Sequence, residues 1–138
     1  MFMKIVKINN YQVGLRFRNE KLVEVLQPGW NLEMSLLGER IDVLSEKDLF
    51  VNHADLDEII RSGALAEYAE VVDLKDNERA LVWMDGRFAQ VLGPGKYGVW
   101  KRYREIRIER FSADDPQFKH KLLFQIAQAP GSKGILQS

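Results

Sequence analysis

Residues 23–32 read VEVLQPGWNL, and residues 89–98 read AQVLGPGKYG. A Val-Leu-x-Pro-Gly stretch that returns 66 positions later marks an internal repeat. Outward from it, at the same shift, Leu15 meets Leu81, Val25 meets Val91, Leu26 meets Leu92, Pro28 meets Pro94 and Gly29 meets Gly95. Beyond Met34 the shift becomes 67, and Arg40 meets Arg107, Ile41 meets Ile108, His53 meets His120, Leu56 meets Leu123 and Ile59 meets Ile126. An ordered series that needs one single-residue insertion is a duplication rather than chance.

Each copy has the same local grammar. Val13–Arg18 and Leu22–Leu26 alternate apolar and polar residues around Asn19-Glu20, and Ala80–Met84 and Phe88–Leu92 do so around Asp85-Gly86. Period-2 alternation predicts half-buried strands. Asp-Gly between such runs predicts a type I′ hairpin, because both central residues take positive φ, and Asn19-Glu20 is a poorer version of it. Pro28-Gly29 and Pro94-Gly95 carry the signature of a type II turn, with proline presetting φ at the first corner and glycine accepting positive φ at the second. A fourth strand is expected near Arg40–Leu44 and Glu105–Phe111. Each copy thus reads as an antiparallel meander of about four short strands.

A connector closes each copy. His53–Glu70 places Leu56, Ile59, Ile60, Leu65 and Ala66 at helical spacing, with Asp55 as N-cap and Gly63 as breaker. In the second connector Leu122, Leu123 and Ile126 predict a helix that stops at Pro130-Gly131, with residues 132–138 frayed. The expected fold is α+β and β-dominated: two tandem copies of a small antiparallel β-meander, each followed by short helices. The expected domains are residues 1–70 and 71–138.

Composition narrows the chemistry. The 138 residues are 46% apolar and 29% charged with zero formal net charge, so no global basic field for nucleic acid exists. Residues 1–69 carry a charge of −3 and residues 70–138 carry +3. The chain has no cysteine, which excludes disulfides and thiolate chemistry and fits a reducing compartment. The N-terminus lacks a signal-peptide pattern, and no run reaches the roughly 18 apolar residues of a membrane helix.

The chemical candidates are few. The densest charge feature is the basic run Trp100–Arg110, in which Trp100, Lys101, Arg102, Tyr103, Arg104, Arg107 and Arg110 could hold phosphates of single strands or of anionic lipid. The competing reading is a solvated strand face, partly neutralised by Glu105 and Glu109, with only part of the run sharing one side. His53 and His120 occupy equivalent positions and read as connector packing or capping positions, because two histidines without clustered carboxylates make a poor metal site. Asp114-Asp115 before Pro116 reads as a turn rather than an acid/base pair. Trp30, Trp83 and Trp100 read as core positions, although Trp30 and Trp100 flank the Pro-Gly turns, where surface anchoring is also open. No phosphate loop or nucleophile elbow is present, so no catalysis, metal or cofactor is expected.

Residues 9–30 and 75–100 resemble the opening stretch of the stomatin-like slipins of the SPFH, or Band 7, superfamily, a resemblance that covers roughly residues 5–45 and 71–112 plus the connectors. The resemblance rests on Glu78-Arg79-Ala80-Leu81-Val82, Gly86-Arg87-Phe88 and Val91-Leu92-Gly93-Pro94-Gly95, and more loosely on Gln12-Val13-Gly14 and Gln27-Pro28-Gly29. It implies a non-catalytic, oligomerising scaffold on the inner face of a membrane, cytoplasmic or peripheral, whose partners are further copies of itself and a membrane protein bearing an OB-type domain. The chain carries neither the membrane hairpin nor the long Ala/Glu-rich coiled coil of many slipins, so it resembles the N-terminal part of one or a shortened member. The expected function is self-association or partner binding at the membrane surface; the alternative is a polyanion-binding module built on residues 101–110.

Overall fold

A computed structural model describes residues 3–128. The first copy contains β1 (Met3–Ile8), β2 (Gln12–Arg18), β3 (Lys21–Leu26), β4 (Gly29–Met34), a 3-10 turn at Ser35–Leu37, β5 (Glu39–Ser45) and α1 (Leu56–Ser62). The second contains β6 (Ala69–Leu74), β7 (Glu78–Met84), β8 (Arg87–Leu92), β9 (Gly95–Trp100), β10 (Ile106–Ser112) and α2 (Pro116–Gln128). Shifted by 66, β1–β4 land on β6–β9 residue for residue, and β5 lands on β10 at a shift of 67. The sheets repeat as well: β1 pairs with β4 and β6 with β9, while β3-β2-β5 matches β8-β7-β10. The fold is α+β and β-dominated, with antiparallel pairs, as the repeat predicts.

Each copy has five strands, one more than alternation revealed. Met3–Ile8 carries apolar residues on both faces, so it lacks a period-2 signal. The hairpins form as expected: Asn19 and Glu20 take φ of 52° and 67°, and Asp85 and Gly86 take 52° and 80°. The Pro-Gly reading needs correction. Gly29 and Gly95 take φ of 139° and 146°, far from the roughly +80° of a type II turn. Pro28-Gly29 and Pro94-Gly95 form bends that carry the chain out of the three-stranded sheet and into β4 or β9. Glycine is still required, because that φ is closed to side-chain-bearing residues.

The chain divides into two compact units. The first gathers the residues up to Val71 with Tyr97–Trp100, and the second gathers Val72–Lys96 with the described residues from Lys101 onward. In the first unit Val13, Leu15 and Phe17 of β2 and Leu44 of β5 bury against Val51, Ile59, Leu65, Tyr68, Ala69 and Trp100. On the other side of that sheet, Ile8 packs with Leu26 and Ile41. Gly14 lies beneath Ile8, where a Cβ would stand 2.2 Å from Ile8 Cδ1. In the second unit Leu81, Trp83 and Phe118 form the core, flanked by Phe88, Val91 and Phe111.

The connectors differ. Gly63 ends α1 in the left-handed conformation, as expected. Asp55 holds the N-cap position, but its side chain makes no capping bond; its N–H donates to His53 Nδ1 at 2.9 Å instead. α2 begins at Pro116, where Asp115 Oδ1 accepts from the Gln117 N–H at 2.9 Å, so Asp115 serves a helix start. The expected stop at Pro130-Gly131 and the tail beyond it lie outside the described residues. Among the described residues no helix is long and apolar enough to cross a membrane.

Candidate interaction surface

The β1–β4 ribbon has two faces set by strand alternation. In its register Met3 opposes Met34, Ile5 opposes Leu32 and Lys7 opposes Trp30. Val6 and Ile8 turn inward onto Leu26 and Ile41. The other face is open: Met3 is 50% exposed, Ile5 66%, Trp30 71% and Leu32 41%. Leu36 and Leu37, just past β4, are exposed too. Lys7 Nζ lies 5.2 Å from the Trp30 ring centroid. Scattered exposed apolar side chains are ordinary, whereas these four lie together on one face of one strand pair. Trp30 is therefore a surface residue, correcting its reading as core; it lies on a strand face that the alternation of β4 directs outward.

The counterpart face on β6–β9 is closed only at one end, around Ala69, Gly98 and Trp100, while Val71, the counterpart of Ile5, is 39% exposed. Ala69 is 4% exposed and Trp100 1%, and both belong to the core of the first unit. Gly98, the counterpart of Leu32, is buried so closely that a Cβ there would meet Val51 Cγ2 at 2.9 Å.

Beside the open face sits a polar cluster. Arg16 Nε donates to Glu24 Oε1 at 2.7 Å, and Arg16 Nη1 donates to the Leu32 carbonyl at 2.7 Å and Glu39 Oε1 at 3.0 Å. Arg18 Nη2 donates to Glu39 Oε2 at 2.5 Å, and the Met34 N–H donates to Glu39 Oε1 at 3.1 Å. Glu39 is buried, and the Arg18 hydrogen bond first, then the Met34 N–H, hold its carboxyl below its ordinary value against desolvation. Arg16, Arg18, Glu24 and Glu39 line a shallow cleft together with Val23, Leu32, Met34 and Leu37. Sequence reading missed this cluster. Its signal was the comparison of copies, since Val82, Met84 and Ile106 stand where the first copy has Arg16, Arg18 and Glu39.

The basic run does not assemble into one site. Trp100 is buried and cannot serve as a ligand platform, because the outward side of β9 faces the first unit's core. Lys101, Arg102, Tyr103 and Arg104 lie in the loop before β10, which starts at Ile106, so residues 101–110 are half loop and half strand. Arg102 sits 4.9 Å from the Tyr103 ring, and Arg104 Nη1 donates to Met84 Sδ at 3.5 Å. Arg107 opposes Trp83 and Arg110 opposes Ala80, so the two point to opposite faces of β10. Arg107 lies 4.7 Å from the Trp83 ring and pairs with Glu109 at 2.9 Å.

That arrangement repeats from the first copy. Arg40 lies 4.5 Å from the Phe17 ring and pairs with Asp42 at 3.2 Å. In each copy a connector base then binds the acid. His53 Nδ1 accepts from Asp55, so its Nε2–H donates to Asp42 at 2.8 Å, while its ring stacks on Phe17 at 5.5 Å. Lys121 binds Glu109 at 2.5 Å. Burial pushes the Glu109 carboxyl up, but Lys121 and Arg107 outweigh that and hold it low. His53 is a packing residue, as read, whereas His120 is exposed on α2. Among the described residues no cluster of three or more His, Cys, Asp or Glu could hold a metal ion. No family model, curated protein or solved structure matches the chain.

Proposed function

We propose that this chain is a non-catalytic scaffold or protein-interaction module, resembling the N-terminal part of a bacterial slipin, that acts by self-association or partner binding at the membrane surface. The observation that carries the reading is the open apolar face of Met3, Ile5, Trp30 and Leu32. Full burial of one such side chain is worth about 1.5–3 kcal/mol; these four have roughly half of that left to gain, a contribution that favours association but must be joined by further contacts to offset its entropy cost. A membrane protein with an OB-type domain fits this reading as partner. Polyanion binding has less behind it, since Trp100 is buried and Arg107 and Arg110 diverge.

Light scattering over a tenfold concentration range, at low and high salt, tests the proposal. The expected result is a defined oligomer that persists in high salt and that Trp30→Glu dissociates. A strict monomer at every concentration would sink autonomous assembly.

A further inference from the structure

The two ribbons differ at their outer edges, and the difference is specific to the atom. Backbone groups of a strand alternate in direction, so the residues of β4 and β9 that face away from β1 and β6 are every second one. On β9 those groups are taken by the first connector: the Val51 N–H donates to the Gly98 carbonyl at 2.8 Å, and the Trp100 N–H donates to the Leu49 carbonyl at 3.1 Å. Phe50 bridges Val99 between them. On β4 the counterparts of Gly98 and Trp100 are Leu32 and Met34. There the same two groups, the Leu32 carbonyl and the Met34 N–H, are taken by Arg16 and Glu39. The second copy has Val82 and Ile106 at those positions and can place nothing there.

We propose that the outer edge of β4 is an acceptor for residues 116–118 of a second copy of this chain, joined head to tail, and that Arg16 and Glu39 hold it shut. This rests on the self-association reading above. The occupant follows from the repeat: Pro116, Gln117 and Phe118 are the counterparts of Leu49, Phe50 and Val51. The bridge asks only for a carbonyl from its first residue and an N–H from its third. Proline supplies the first, and Phe118 supplies the second. Phe118 is buried in its own unit's core, as Val51 is in the first unit, so one residue can fill both roles. The segment forms the first turn of α2 in this structure, and binding would require that turn to extend. Such an interface is heterologous and does not close on two chains, so a guarded edge limits its growth.

The absence of cysteine permits a direct test. Val99 bridges Phe50, so the predicted pair between chains is Glu33 with Gln117. Chains carrying Glu33→Cys are mixed with chains carrying Gln117→Cys under oxidised glutathione, and the mixed disulfide is measured on non-reducing gels. The expected result is at least about tenfold more cross-link when both chains also carry Arg16→Val and Glu39→Ile, the second copy's residues. If circular dichroism shows that pair unfolded, Arg16→Val alone frees the Leu32 carbonyl and should give a smaller increase. Equal cross-linking with and without Arg16 and Glu39, or none in a folded variant, overturns the proposal. The scaffold reading fails separately: an oligomer that depends on Trp30 but never cross-links leaves it standing without this edge. A cross-link in a chain whose wild type is strictly monomeric leaves the edge standing without autonomous assembly.

Discussion

Seating of the β1–β4 ribbon on its sheet depends on Gly14, and Gly14→Ala should unseat it. The added Cβ would stand 2.2 Å from Ile8 Cδ1 and 3.1 Å from Leu26 Cβ. Ile8 is buried against Leu26 and Ile41, so it cannot rotate away freely. Overpacking of this kind costs about 1–3 kcal/mol, and the stiffer unfolded chain returns about 0.4–1 kcal/mol. A net loss of about 1–2 kcal/mol is expected. Ile8→Val alone, which removes the clashing methyl, should cost about 0.5–1.5 kcal/mol. The double variant should be no less stable than Ile8→Val, a coupling of at least about 1 kcal/mol. Urea denaturation of the four proteins measures the cycle. The second copy has Ala80 and Leu74 at these positions, so an alanine is accommodated there beside a side chain of the same volume but different branching. Additivity within about 0.5 kcal/mol would refute the claim that these two side chains compete for one space.

Two further outcomes follow from the same structure. Glu20→Gly should stabilise the first hairpin by about 0.5 kcal/mol, since Glu20 sits at φ 67° and its ion pair with Arg40 is exposed; a lower midpoint in urea would show that the pair matters more than the backbone. Glu39 has its folded pKa depressed below the unfolded value, so its contribution is present above the ordinary carboxylate range and lost as pH falls through the folded value. The Tm gap between wild type and Glu39→Gln should therefore be widest near neutral pH and shrink on acidification, and a constant gap from pH 7 to pH 3 would contradict the depressed pKa.

What the sequence made legible and what it hid have one physical origin. The hairpins and Val13, Leu15 and Phe17 could be read because a sheet with one buried face alternates, and positive φ selects Asn, Asp and Gly. β1 stayed hidden because Met3 and Ile5 are apolar on the open face while Val6 and Ile8 are apolar on the closed one, which erases the period. The bend at Pro28-Gly29 could be located but not its path, because partner choice for β4 is a long-range matter that local turn chemistry does not encode. Trp30 was misplaced for the same reason: burial depends on what covers a face, and the equivalent ribbon is covered around Gly98 and Trp100 in one copy and open in the other.

Comparison between the copies separates what the fold needs from what one copy adds. Shared features build the fold: the Pro-Gly bend, the arginine over Phe17 or Trp83, and the acid two residues beyond it that a connector base binds. A feature present in one copy alone needs its own reason. Arg16, Arg18 and Glu39 place charge where the second copy manages with Val82, Met84 and Ile106. Burying an ion pair such as Arg16 with Glu39 is seldom the most stabilising choice, since apolar residues of similar volume often do as well or better. Strand β4 has an edge to protect, and β9 has a connector on it. On the proposed reading the cluster answers a demand of the first ribbon's edge, and the apolar face beside it is where a partner would meet that edge.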